Sequence, residues 1–235
     1  MTANPIQRTF IKLVGVLLSL SFSLPAISAS FDSSLYKTLA NRAPELSRDA
    51  LKSALTATSC AIQHGMATPA RLAVIDFSLP STEKRLWIFD LENRTLLLQD
   101  LVAHGRNSGE VSATTFSNDL GSYQSSIGLF VGDESYSGKH GYSLRLDGLE
   151  PGVNDLARER AIVIHGADYV DPSWIDNHGR LGRSLGCPAV RREIASQVVD
   201  HLKGGQLVFT YYPDQTWLQS SDFLHCGSPQ LASTQ

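Results

Sequence analysis

The chain has 235 residues, enough for one domain with an appendage and for a sizeable core without staples. Hydrophobic residues make up 42% and charged residues 18%, a balance that excludes disorder and coiled coil. The formal charge of −3 supplies no basic field, which argues against nucleic acid as a partner.

Residues 1–29 read as a signal peptide. Arg8 and Lys12 precede an uncharged apolar run from Leu13 to Leu24, and small residues follow the helix breaker Pro25. The run falls short of the roughly 20 residues a spanning helix needs. Cleavage near Ala26 to Ser30 is expected, with an uncleaved anchor as the alternative. The product would be exported to a periplasm or cell envelope, meeting the membrane only through the signal peptide. Residues 1–29 hold two positive charges and no acid, so the mature chain carries −5.

Residues 30–68 read as a helical segment. Leu35 and Leu39 share a face, Pro44 interrupts, Ser47 is a plausible cap, and Leu51, Leu55 and Ile62 mark a second face closed by Gly65. From residue 69 to 213 the pattern is mostly β. Short strands are expected at Arg71–Phe77, Arg85–Leu91, Thr95–Val102, Ile127–Gly132, Gly141–Leu146, Ala161–His165 and Gln206–Tyr212, which suggests a β-sandwich or barrel. One helix, Arg191–Leu202, carries Ile194, Val198 and Leu202 on one face and ends at Gly204-Gly205. Residues 214–235 form a C-terminal tail with no regular pattern.

The three cysteines are Cys60, Cys187 and Cys226, so an exported chain leaves at least one thiol unpaired. Oxidising compartments permit disulfides. A Cys60–Cys226 pair would tie the tail to the N-terminal helices and leave Cys187 free; three free thiols are the alternative.

Cys187 sits in Arg183-Ser184-Leu185-Gly186-Cys187-Pro188, just before the expected helix. Glycine lets backbone amides face a bound oxygen, and a helix N-terminus favours a thiolate. Upstream, a strand ends in Ile164-His165-Gly166. A cysteine in contact with a histidine is an activated nucleophile, though sequence does not show contact. His165, His178 and Cys187 lack paired zinc-ligand spacing, so no metal and no cofactor is expected. Asp76, Asp90 and Asp100 read as turn or edge residues and not as a carboxylate pair for sugar cleavage. No serine-enzyme motif is present.

The segment Ile164–Val190 resembles the L,D-transpeptidase (YkuD-like) catalytic domain, whose signature is His-Gly at a strand end and a Ser/Thr-x-Gly-Cys loop. The likeness is to the branch of murein L,D-transpeptidase catalytic domain family proteins. It extends to Lys84–Trp87, Ala103–Gly109, Phe116–Asn118, Gly121–Gly128, Gly138–Gly141 and Leu144–Glu150, roughly residues 70–213. The resemblance implies a mostly β sandwich with a helix beside the nucleophile and an exported enzyme of peptidoglycan. Cys187 would attack the carbonyl of the third residue of a stem tetrapeptide, and D-Ala would leave. An amine from a second stem peptide, a wall-attached protein or a D-amino acid would resolve the thioester.

His165 would act as base and acid, and the Gly186 and Cys187 amides would hold the oxyanion. Arg183, Ser184, His140, Tyr142 and Gly166 are the expected substrate-binding residues. Ser184 would position the loop, Arg183 would meet a carboxylate, and His140 would touch substrate or orient His165. Tyr142 shares the face of His140 if a strand starts there. Asp168 and Tyr169 are expected in the same cleft. Two departures stand out: Leu185 takes the place of a second histidine, and Pro188-Ala189-Val190-Arg191 replaces the usual small-residue, Asn or Arg pattern. Two rival readings keep the same residues: a hydrolytic carboxypeptidase or amidase using water as acceptor, and a wall-binding module with a vestigial site.

Overall fold

The computed structural model describes Met1 and residues 32–226; beyond Met1, the expected signal peptide lies outside the described residues. Among the described residues no helix is long and apolar enough to cross a membrane.

Two helices lead. Helix α1 spans Ser33–Arg42 and α2 spans Arg48–Gln63. Each starts on a side-chain cap: Asp32 accepts from the Ser34 and Leu35 amides, and Ser47 from Ala50. The strands follow as β1 (Arg71–Asp76), β2 (Leu86–Asp90), β3 (Thr95–Asp100), β4 (Val102–Ala103), β5 (Gly128–Gly138), β6 (Gly141–Gly148), β7 (Val163–Gly166), β8 (Ala189–Val190) and β9 (Gln206–Tyr211). Three helices sit among and after them: α3 (Pro172–His178), α4 (Arg192–Leu202) and α5 (Gln215–Ser220).

The mostly β architecture expected from the sequence is the one found. All nine strands join in the order β3-β2-β1-β9-β5-β6-β7-β8-β4. The two ends of that order, β3 and β4, are separated in the chain by Leu101 alone. The sheet must therefore curl until its edges nearly meet. Pairing is antiparallel except for β1 with β9 and β7 with β8.

Side-chain alternation builds two cores. Leu72, Val74, Trp87, Phe89, Leu207 and Phe209 point outward and are covered by Leu39, Leu51 and Leu55 of α1 and α2. Ala73, Ile75, Leu86, Ile88 and Val208 point inward, where Val198, Val199 and Leu202 of α4 fill the curl. Strands buried on both faces read as continuous apolar runs, which is how β1 and β2 look in the sequence. Asp76, Asp90 and Asp100 end their strands as expected but are buried. Asp90 holds the Asn93 amide at 2.8 Å and Arg71 at 3.0 Å, and Asp100 pairs with Arg191 at 2.5 Å.

The structure departs from the sequence reading in three places. The run Thr95–Val102 breaks into β3 and β4, which sit at opposite ends of the sheet order. The loop between His165 and Cys187 contains α3, capped by Asp171 and closed by Gly179 at φ 70°. The segment after residue 213 contains α5, whose buried Trp217 donates its indole N–H to Glu150 at 2.9 Å. Glu150 also accepts from the Leu129 amide (2.8 Å) and Ser221 hydroxyl (2.7 Å), so one buried carboxylate ties α5 to the sheet. Burial raises the pKa of Glu150 above the usual glutamate value. Cys60 and Cys226 are bridged, with Cα atoms 5.4 Å apart, and Cys187 is free.

Candidate active site

Parallel pairing of β7 with β8 sets His165 opposite Ala189, two residues past Cys187. His165 and Cys187 line one cleft of about 440 Å³ with Tyr123, Lys139, His140 and Leu185. This pairing turns 22 residues of sequence separation into a shared floor.

The loop that carries Cys187 is held by its own hydroxyl. Ser184 Oγ donates to the Cys187 carbonyl at 2.6 Å and accepts the Gly186 amide at 3.1 Å. The Gly186 N–H, expected to hold an oxyanion, donates to Ser184 in this state. Gly186 has φ 124°, a conformation that favours glycine. A second loop locks the first from outside. Ser125 Oγ donates to the Gly186 carbonyl at 3.0 Å and accepts the Gly105 amide at 2.9 Å. A Cβ on Gly105 would lie 2.5 Å from the Tyr123 carbonyl and 2.9 Å from the Gly186 Cα, so this approach requires glycine. Behind it, buried His104 accepts from Arg85 at 2.7 Å, and burial with that cation drives its pKa down to about 4.

These contacts predict the effect of Ser184→Ala. It strands the buried Gly186 amide, and an unsatisfied buried donor costs about 1–3 kcal/mol. Urea unfolding should show that loss, while Ser184→Thr keeps the hydroxyl and should stay within about 1 kcal/mol of wild type. Equal stability of the alanine variant and wild type would remove the clamp from the account.

His165 is 4% exposed, and its Nδ1 lies 3.0 Å from the Gly166 carbonyl. A carbonyl only accepts, so Nδ1 carries the proton and Nε2 is the basic nitrogen. Gly166 thus contributes a main-chain acceptor; it is buried under Ala195 and Arg192 of α4 and does not line the cleft. Burial lowers the His165 pKa, the Gly166 carbonyl opposes that, and His140, Arg192 and Lys139 lower it further. The His140 ring packs on the His165 ring with centroids 4.4 Å apart.

Cys187 is half-buried, and its thiol lies 3.5 Å from the Val163 amide and 3.6 Å from the Ala161 carbonyl. Among the described residues it makes no hydrogen bond to His165 in this state. Burial pushes the thiol pKa up; the Val163 amide and Arg160 only partly oppose this. The helix-terminus argument for a thiolate is corrected accordingly, because β8 separates Cys187 from the start of α4.

Several expected binding residues are engaged elsewhere. Arg183 lines the cleft, but its Nη1 donates to the Arg106 and Gly109 carbonyls, both at 3.0 Å, and to Glu110 at 2.7 Å. Tyr142 is outside the cleft; its hydroxyl donates to Asp200 of α4 at 3.0 Å. His140 lies in the tight β5–β6 turn, so the alternation that linked it to Tyr142 does not apply. Asp168 pairs with Arg192 and is outside the cleft, whereas Tyr169 lines it with its pKa pushed up to about 12 by burial. His178 is away from the cleft, stacked on Trp174 at 4.6 Å.

Arg160 was missed. Its guanidinium donates to the Gln124 and Ser117 carbonyls and to Ser126, and so builds the wall beside the thiol. Lys139, in the Gly138–Gly141 stretch, carries no signal of its own in the sequence beyond its position in a two-residue hairpin turn beside a histidine.

Comparison with known proteins adds the family. No curated protein sequence matches the chain. Among solved structures it is similar to an L,D-transpeptidase from Mycobacterium smegmatis, with 12% identity over 61% of this chain and 59% of that one, at a TM-score of 0.39. L,D-transpeptidase 3 from Mycobacterium tuberculosis gives 14% identity over 61% and 62%, at 0.39. An L,D-transpeptidase from Stackebrandtia nassauensis gives 12% identity over 76% of each chain, at 0.37. The chain thus spans about 59–62% of the two mycobacterial chains. The family model of the L,D-transpeptidase catalytic domain matches residues 42–211, most of the sequence, and the chain belongs to that family.

Proposed function

We propose that the chain is an exported cysteine acyltransferase acting on peptidoglycan stem peptides. The observation that carries this reading is the placement of Cys187 and His165 on one cleft floor, with His165 held as the Nδ1–H tautomer. The thiol proton passes to His165 Nε2 as sulfur attacks the carbonyl of the stem residue before the terminal D-Ala. The tetrahedral intermediate collapses, the C–N bond breaks, and the imidazolium protonates the departing D-Ala amine. An amine then attacks the thioester, gives its proton to the same nitrogen, and expels the Cys187 thiol.

Three features support the scheme. Both starting groups are neutral near pH 7, since burial raises the thiol and lowers the imidazole. Proton transfer therefore accompanies attack. Lys139 and the half-buried Arg160 put positive charge around a cleft that must accept peptide carboxylates. Leu185 is 55% exposed on the cleft lip and offers an apolar contact to a bound peptide.

Incubation with a disaccharide-tetrapeptide, followed by mass spectrometry, tests the reading. Loss of D-Ala with formation of a cross-linked dimer is the expected result. Loss of D-Ala leaving only tripeptide would assign water as the acceptor. Absence of D-Ala release from tetrapeptide and from intact peptidoglycan would overturn the proposal.

A further inference from the structure

A second cluster of reactive side chains lies outside the cleft, at the Cys60–Cys226 bridge. His64, the C-cap of α2, follows Cys60 by four residues, so the two side chains meet at the end of one helix face. The His64 Nε2 lies 4.0 Å from Cys60 Sγ and 3.9 Å from Cys226 Sγ. The three ligand atoms all fall within 4.8 Å of one another. The Phe223 ring meets the His64 ring edge-on at 5.7 Å and holds its direction. A bridge that only staples the tail needs no ring nitrogen aimed at both sulfurs.

We infer that reduction of this bridge creates a binding site for a soft divalent cation of the zinc class, formed by Cys60, His64 and Cys226. Two thiolates and one imidazole are a zinc-type donor set, and the fourth tetrahedral position is left to water. Tetrahedral zinc sets sulfur about 3.7 Å from sulfur and about 3.6 Å from the imidazole nitrogen, given its usual bond lengths. The sulfur–nitrogen separations are already close to this. Only the sulfurs must part, and half-buried Cys226, in the short segment after α5, is the one that moves. His64 is exposed, which provides an entry path, while Cys60 is buried and fixed on α2.

The chemistry balances. A trialkylphosphine with one water gives the phosphine oxide and two thiols. Metal binding then releases both thiol protons, so affinity rises with pH. In the oxidised chain the sulfurs are bonded to each other and the site is closed. The cluster thus exchanges a covalent tie for a metal tie, with the C-terminal segment docked in both.

The test uses the full chain carrying Cys187→Ala, so that the cleft thiol does not contribute. After phosphine reduction and anaerobic removal of reductant, cobalt(II) is titrated, then displaced by zinc(II). One equivalent of cobalt is expected to produce a thiolate-to-metal band in the near ultraviolet, absent from the oxidised protein. His64→Phe should weaken binding by at least roughly 100-fold, as expected for loss of one of three protein ligands. Zinc should also raise the thermal transition of the reduced protein but not of the oxidised or His64→Phe protein. A band that appears only when Cys187 is present would overturn the proposal. So would binding indifferent to His64→Phe, or a reduced protein neither liganded nor stabilised by zinc.

Discussion

Cys187→Ala is expected to abolish D-Ala release from a stem tetrapeptide, with turnover falling by at least about 10⁴-fold, as in other enzymes that lose their nucleophile. Ser184, the aliphatic hydroxyl among the cleft residues, does not take its place, because it is spent within the loop. The fold should survive, because Cys187 is half-buried and its contacts are two long sulfur–backbone approaches. Unfolding midpoints within about 1 kcal/mol of wild type would make activity loss a chemical effect. Residual turnover above a tenth of wild type would show that another group carries the acyl intermediate. Mass spectrometry of the wild-type protein incubated with substrate should show the acyl mass on the peptide containing Cys187.

His165→Gln should cost about 10²–10⁴-fold, the range for a general base and acid. Glutamine fills most of the volume but takes no proton. The pH profile gives a second, independent reading. His165 must be neutral to accept the thiol proton, and the neutral form prevails above its pKa. Because burial, His140, Arg192 and Lys139 lower that pKa from its ordinary 6.5, the acid limb of kcat/KM should fall below pH 6.5. The thiol is raised instead, so alkylation of Cys187 by iodoacetamide should keep rising beyond pH 9. An acid limb above pH 7, or alkylation already at its plateau near neutrality, would point to a thiolate–imidazolium pair at rest.

The first of these effects exceeds any expected from the loop clamps, for a plain reason. Ser184, Ser125 and Gly105 set where the nucleophile stands, and their loss is felt as partial misplacement. In the proposed reaction Cys187 supplies the bond that is made and broken.

Much of the fold was legible in the sequence because its signals are local. The apolar spacing of α1 and α2, the cap at Ser47 and the β-rich runs of β1, β2 and β9 are read directly. Helix α3 was equally legible in principle, since Asp171-Pro172 is a cap followed by a first-turn proline and Gly179 is a stop. Its seven residues carry no apolar periodicity and none is buried, so the hydrophobic pattern does not mark it. Helix α5 hid for the same reason: only Trp217 is buried.

The sequence by itself determined a mostly β chain with an N-terminal helical pair, and it singled out a free cysteine after a Ser-x-Gly and a histidine at a strand end. These follow from side-chain period, turn chemistry and motif spacing, all properties of neighbours in the chain. Only the tertiary structure decided which partners each functional group keeps. Strand pairing across the sheet engages Arg183 with the loop 106–110, turns Tyr142 toward α4, gives the Gly186 amide to Ser184 and brings Arg160 into the cleft wall with the thiol. A hydrogen-bonding group binds whichever acceptor the fold brings within about 3 Å. That geometry is set by contacts between residues distant in the chain, which local patterns do not encode.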